Sequence, residues 1–257
     1  MYIRELALVT KRWRDWLPLA WSDFSMPYRR TFIGPLWQAI QAAVWVAGLY
    51  AIFHSTESNT TDNYVVYVAS GVVIFGFIST TLTSAPDLYL RSANTLLNIN
   101  ISPIFFVFRF TAYNAIKFVC QLPVVFIAVY LFGSGFTVNT LWLIPGLLLL
   151  LITGLWMTLL LATIGARYVD LKYAMTSVAR ILFFVSPIFW GVSDGGLRNY
   201  IASYNPITYF IGIIRDPIMS SAPSMHTWTV VLVINLIGIF ITWALFTRSR
   251  KTIPLWL

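Results

Sequence analysis

Residues 141–164 read LWLIPGLLLLLITGLWMTLLLATI, a run without a single charged side chain. A hydrocarbon core about 30 Å thick is crossed by about 20 helical residues, so this run has the length and composition of a membrane-spanning helix. The same character recurs on both sides of it, over roughly 34–53, 64–85, 104–132, 174–192 and 227–247. About six spans are therefore expected, and no connection between them is long enough for a soluble domain. The chain has 257 residues, of which 58% are hydrophobic and 10% charged, against about 25% charged in soluble domains. The predicted fold is an all-α membrane protein: a cytoplasmic amphipathic interface segment over 1–33 and a six-span transmembrane domain over 34–257. Any water-phase chemistry falls to a partner.

The formal net charge is +8, and its distribution speaks for topology rather than for a nucleic-acid surface. Arg4, Lys11, Arg12, Arg14, Arg29 and Arg30 precede the first span, and Arg91 lies between the second and third. Arg167 and Lys172 lie between the fourth and fifth, and Arg248, Arg250 and Lys251 follow the sixth. The alternate connections are nearly free of positive charge: 54–63 carries Glu57 and Asp62, 133–140 carries none, and 193–226 has only Arg198 and Arg215. Basic residues gather on the cytoplasmic side of a membrane, so both termini are expected there. The first thirty residues are too charged for a cleavable signal peptide. A single cysteine, Cys120, allows no disulfide framework within one chain.

Residues 4–24 have the pattern of an amphipathic helix. Leu6, Val9, Trp13, Trp16, Leu17, Ala20 and Phe24 share one side; Arg4, Lys11, Arg12, Asp15 and Ser22 share the other. Such a helix either lies among lipid headgroups or packs on its own protein, and Pro18 is expected to kink or restart it. Gly34-Pro35 opens the first span, and Pro123 should bend the third. The 193–226 segment begins polar, turns apolar over 207–214 and breaks at Pro217. Eight apolar residues are too few to span, so a short re-entrant hairpin on the outer face is expected before the last span.

None of the fourteen glycines is followed by lysine, which excludes a Walker A phosphate loop. His54 and His226 are far apart and have no neighbours at metal-ligand spacing, so no metal site is expected. No carboxylate falls within a span, which argues against a proton- or sodium-coupled carrier. Charges at membrane depth are limited to Lys117, Arg180 and Arg109, which should face protein, water or a headgroup. In the first span Trp37, Gln41 and Trp45 recur at i, i+4 and i+8, with Gly48 and Ile52 continuing the stripe. Ring faces meet sugar C–H bonds and amides meet hydroxyls, so the stripe suits either a polysaccharide track or ordinary helix packing. Phe183, Phe184 and Trp190 allow the same two readings.

Five motifs, in order along nearly the whole chain, resemble one family. Asp23-Phe24-Ser25-Met26-Pro27-Tyr28-Arg29-Arg30-Thr31-Phe32-Ile33-Gly34-Pro35-Leu36-Trp37 is similar to the opening segment of polysaccharide ABC exporter permeases. Arg167-Tyr168-Val169-Asp170-Leu171 resembles their turn between spans four and five, and Ser186-Pro187-Ile188-Phe189-Trp190 their Pro-aromatic motif. Asn205-Pro206-Ile207-Thr208-Tyr209 followed by Arg215-Asp216-Pro217 resembles their outer re-entrant segment. Arg250-Lys251 with Ile253-Pro254-Leu255-Trp256 resembles their tail.

The resemblance implies a transport subunit of the bacterial inner membrane, not an enzyme, with no cofactor of its own. It implies a homodimer with two copies of a separate ABC-type ATPase that uses ATP and magnesium. It also implies export of an undecaprenyl-pyrophosphate-linked chain: O-antigen first, capsule or teichoic acid as alternatives. On this reading Trp37, Gln41, Trp45, Arg180, Phe183, Phe184 and Trp190 line the channel, while Arg29 and Arg30 contact the lipid pyrophosphate or serve only as topology charges. Asp87, Arg91, Asn94, Asn98 and Asn100 dock the ATPase, and Asn98 and Asn100 stand where the family commonly has basic residues. Asn205, Pro206, Tyr209, Arg215 and Pro217 form the re-entrant segment. Two other classes stay open, a small-molecule exporter of the same architecture and a membrane glycan-modifying enzyme. The enzyme would need clustered outer-face carboxylates or histidines, for which only Asp194 and Asp216 are available.

Overall fold

The computed structural model describes residues 8–57, 63–99, 101–133, 135, 137–192, 196–250 and 252–257. The described residues contain helices, turns and irregular segments, and no strand. In chain order the helices are α1 (Trp13–Ser25), α2 (Trp37–Glu57), α3 (Tyr64–Ser84), α4 (Leu88–Arg91), α5 (Ala93–Asn98), α6 (Pro103–Phe132), α7 (Leu143–Arg167), α8 (Leu171–Val185), α9 (Leu197–Tyr204), α10 (Pro206–Ile218), α11 (Met225–Ser249) and α12 (Ile253–Trp256). Five helical stretches are long and apolar enough to cross a membrane: Gly34–Ser55, Tyr64–Ser84, Pro103–Phe132, Val138–Arg167 and Met225–Ser249.

The apolar stretch over 174–192 is helical only in its first part and is not among these five. Helix α8 has 15 residues, about 22 Å at 1.5 Å per residue, and ends at Val185. Pro187 supplies no N–H and drives Ser186 into extended backbone at φ −87°, ψ 146°. Pro123, by contrast, stays inside α6, which runs unbroken from Pro103 to Phe132. In the N-terminal segment the helical run is interrupted at Arg12 rather than at Pro18. Restarting there leaves Pro18 in the second turn of α1, where it removes one helix donor.

Helix α3 is the axis of the bundle, packed by α2, α6, α7, α8 and α10. Polar groups join the helices where apolar packing alone gives no specificity. Asn114 of α6 donates to the Phe77 carbonyl and to Thr81 Oγ1 of α3, both at 2.9 Å. Asn235 of α11 accepts from Thr153 Oγ1 at 3.0 Å and from Trp156 Nε1 at 2.9 Å, both on α7. With no competing water in hydrocarbon, such bonds hold helices in register. Close approach needs small residues: a Cβ on Gly238 would lie 2.5 Å from the Trp156 ring, and one on Gly165 would lie 1.9 Å from the Pro86 carbonyl oxygen.

Helix α1 lies against α6. Ala20 and Phe24 are buried, and Trp16 meets Phe108 at 5.5 Å between ring centres. Trp13, Leu17 and Trp21 remain exposed. The apolar side is thus divided between the protein and the surroundings. Leu6 and Arg4 lie outside the described residues.

The 193–226 segment contains two short helices, α9 and α10. Asn205 accepts from the Ile207 amide at 3.0 Å and Pro206 takes the first helical position, a pairing suited to a helix start. Ile207, Phe210, Ile211 and Ile214 bury one face of α10 against α3, α7 and α11. The helix continues through Pro217 to Ile218.

Candidate functional site: a ring-and-amide cavity beside a cationic one

Helix α2 presents Gln38, Gln41, Trp45, Leu49 and Ile52 along one face, each three or four residues from the next. This face, with parts of α3, α6 and α8, lines a cavity of about 950 Å³. Helix α8 contributes Thr176, Arg180, Phe183 and Phe184, α3 contributes Phe75, Ser79, Thr80 and Thr83, and α6 contributes Lys117 and Gln121. The rings form one connected set: Phe183 lies 6.0 Å from Trp45, 5.5 Å from Phe75 and 5.4 Å from Phe184, each in an edge-to-face arrangement. That geometry is favoured by the ring quadrupoles and fixes the rings relative to one another. Beside the rings stand amides and hydroxyls. Gln121 Nε2 donates to Gln38 Oε1 at 3.3 Å, and Gln38 Nε2 donates to the Tyr28 hydroxyl.

Of the channel residues expected from sequence, Gln41, Trp45, Arg180, Phe183 and Phe184 converge on this cavity. Trp37 is outside its lining and half exposed. Trp190 is buried, donates to the Phe184 carbonyl at 3.1 Å, and borders a separate cavity of about 300 Å³ that shares Phe53 and Phe184 with the large one. Gln38, Thr80, Thr83 and Gln121 were not expected here. Gln38 lies three residues before Gln41 on the same face but outside the four-residue steps from Trp37, and nothing in 121 announces that α6 faces α2.

A second cavity, of about 610 Å³, adjoins the first through Thr80, Thr83 and Lys117, which line both. Its wall is strongly polar and carries Arg91, Arg109 and Lys117 with the single carboxylate of Asp23. Arg109 grips Asp23 through two parallel bonds of 2.6 Å, which ties α1 to α6. Arg29 and Arg30 are exposed on the turn after α1 and line neither cavity.

The expected ATPase-docking segment forms α4 and α5. Asp87 pairs with Arg91 at 2.8 Å and with Lys172 at 2.6 Å, and Arg91 also donates to the Ser84 carbonyl at 2.6 Å. Asn98 donates to the Asn94 carbonyl at 2.8 Å. Asn100 lies outside the described residues.

The non-helical Ser186–Trp190 segment is held by side chains from two other elements. Tyr64 donates to the Phe189 carbonyl, and Tyr67 to those of Pro187 at 3.1 Å and Trp190 at 3.0 Å. Arg215 of α10 donates to the Pro187 carbonyl at 2.7 Å and lies 3.6 Å from the Tyr67 ring centre. Asn205 Nδ2 donates to Ser186 Oγ at 2.8 Å. Two of the sequence motifs are therefore one structural unit. Pro206 and Pro217 are its helix-start and helix-end residues, while Tyr209 donates to the Ser203 carbonyl at 2.7 Å and packs edge-on against His226 at 5.5 Å.

The family profile of ABC-2 type transporters matches residues 15–219, from the first turn of α1 to the end of α10. The chain belongs to the ABC-2 type transporter family. It is a multi-pass membrane protein of a transport family. It is similar to the O-antigen export system permease protein RfbA of Klebsiella pneumoniae, 18% identical over 234 residues covering 89% of each chain. It is also similar to the O-antigen export system permease protein RfbA of Myxococcus xanthus, 20% identical over 195 residues covering 74% of this chain and 75% of that one.

Proposed function

We propose that this ABC-2 chain is the membrane permease subunit of an ATP-driven exporter of lipid-linked polysaccharide, with O-antigen as its cargo. The observation that carries the reading is the large cavity, where a fixed set of aromatic rings stands beside glutamine amides and threonine hydroxyls. Rings stack on the C–H faces of sugars, and amides exchange hydrogen bonds with sugar hydroxyls. A drug-binding cavity has no such need for Gln38, Gln41 and Gln121 together. The names of the two relatives support O-antigen over other chains.

The chain acts in the bacterial inner membrane as a homodimer, joined to two copies of a separate ATPase that uses ATP and magnesium. In this arrangement α8 and the non-helical Ser186–Trp190 segment together make the fifth of six crossings, and α9 with α10 dips in from the outer face. Both termini face the cytoplasm, with 1–33 as the interface segment. Arg29 and Arg30 meet the pyrophosphate of the lipid carrier at the rim. The 87–100 segment, with Asp87, Arg91, Asn94, Asn98 and Asn100, receives the ATPase.

The test is export from inverted membrane vesicles containing the chain and its ATPase. Lipid-linked polysaccharide should be taken up only with ATP. Trp45→Ala and Gln41→Leu should slow uptake several-fold at unchanged protein level, because ring and amide contacts act on a moving polymer. Uptake of a small hydrophobic dye with no uptake of polysaccharide would overturn the cargo.

A further inference from the structure

Lys117 is placed where a cation is expensive. It lies on α6, fifteenth of the 30 residues in a helix long enough to span the membrane. Its ammonium donates to Thr80 Oγ1 at 3.3 Å, and no carboxylate pairs with it among the described residues. An unpaired charge at membrane depth costs several kcal/mol, so such a group persists where it faces water or an anionic ligand. Lys117 faces the junction of the two cavities. On the polar side of that junction stand Arg91 and Arg109 and the hydroxyls of Thr83, Ser92 and Tyr113.

The charges of this wall do not cancel. Asp23 offsets Arg109 alone, and Arg91 is held by Asp87, which also serves Lys172. Two of the three lining cations thus have carboxylate partners and the third, at the junction, has none. A multiply charged oxyanion is the ligand such a wall fits. Guanidinium forks bind phosphate oxygens in pairs, and a lysine supplies a point charge beside them. The volume of about 610 Å³ is larger than a single phosphate needs, and Thr80, Thr83 and Lys117, shared with the ring-and-amide cavity, set that cavity beside the anion, where a sugar attached to it would lie.

We infer that the cavity between Arg91, Arg109 and Lys117 seats a diphosphate, with Lys117 as the cation that meets it at the junction with the sugar-sized cavity. The inference rests on the polysaccharide-export reading for the identity of the attached groups, but not for the anion site itself. Arg29 and Arg30 then serve first contact at the rim, and the cavity wall holds the group afterwards. A bound diphosphate also competes with Asp23 for Arg109, which loosens the tie between α1 and α6 when the site is filled.

The test uses the complex of this chain with its ATPase in phosphatidylcholine nanodiscs. Binding of undecaprenyl diphosphate, inorganic pyrophosphate and undecaprenol is measured for the wild-type chain and variants. Lys117→Met should weaken diphosphate binding roughly ten-fold or more, the loss of one charge-assisted contact. Lys117→Arg should restore most of it, and Asp23→Asn should tighten it by removing the competing carboxylate. Tight binding of the lipid diphosphate but not of undecaprenol assigns the site to the carrier headgroup. Equal binding of inorganic pyrophosphate, lost in Lys117→Met, assigns it to a free diphosphate. Unchanged affinity in folded Lys117→Met, or no tightening in Asp23→Asn, overturns the site. Vesicle export by the wild-type chain separates the two readings. Export with a Lys117-independent diphosphate overturns only the site, and Lys117-dependent binding without export overturns only the cargo.

Discussion

Arg215 carries a guanidinium into a position where 5% of its surface reaches solvent. A bare buried charge costs several kcal/mol after relaxation. Here the cost is offset by the Pro187 carbonyl, the Ser70 hydroxyl at 3.3 Å and the face of Tyr67. The fit leaves no slack. A Cβ on Gly71 would stand 2.3 Å from Arg215 Nη2 and 3.0 Å from the Ile188 carbonyl oxygen. Gly71→Ala and Arg215→Met are each expected to destabilise the folded chain by about 1–3 kcal/mol. Arg215→Lys should not restore Arg215, because an ammonium cannot lie flat on a ring and reach the carbonyls at once. In the Arg215→Met background the penalty of Gly71→Ala should shrink, since the clashing guanidinium is gone; thermal unfolding in detergent of the four combinations checks this. Additive losses would mean that the two residues do not share the site. The sequence singled out Arg215 inside a motif, but its bond to a carbonyl 28 residues earlier is set by how α10 folds back, and local pattern holds no record of that.

Among the elements, the five long spans were legible because composition alone decides them: runs such as 141–164 have no alternative to a buried or lipid-facing helix. In the fifth stretch hydropathy gives the apolar run but not where its helix ends, which is at Val185, two residues before Pro187. Its consequence depends on Tyr64, Tyr67 and Arg215 satisfying the carbonyls that the broken helix leaves. The cavity was legible in part. The stripe of Gln41 and Trp45 and the rings of α8 have helical spacing, whereas Gln121 and Gln38 meet only through the packing of α6 on α2. The same packing suggests how motion passes from the docking helices to the cavity. Asp87, just before α4, holds Lys172 in the first turn of α8, and α8 carries Thr176, Arg180 and Phe183 into the cavity wall. Asp87→Asn and Lys172→Gln should each lower export more than ATP hydrolysis by the complex. The double variant should be no worse than the worse single, because both remove one bond. Export falling in step with hydrolysis, or additive losses, would show that the pair only steadies the fold.

For the whole molecule, the arrangement is a path: a cationic cavity beside α1, a junction at Lys117, and a cavity of rings and amides between α2, α3, α6 and α8. A path for a hydrated polymer must be wet, whereas the outward sides of the spans meet hydrocarbon, and this difference can be read chemically. Maleimides react with the thiolate, which forms in water and not in lipid. In a chain with Cys120 replaced by serine, cysteines at Gln41, Trp45 and Phe183 should label with a sulfonated maleimide. Cysteines at Leu236 and Phe240, which are as exposed on α11 as Trp45 is on α2 but outside both cavities, should not. Lipid-linked polysaccharide added with a non-hydrolysable ATP analogue should protect positions 41 and 183. It should leave untouched a cysteine at Trp37, which is exposed beside the cavity but not in its wall. Labelling at 236 and 240 as fast as at 41 would mean that reactivity follows exposure in detergent or lipid alone. Silence at 41, 45 and 183 together would make the cavity dry, and the ring-and-amide wall would then be packing between helices rather than a route for sugar.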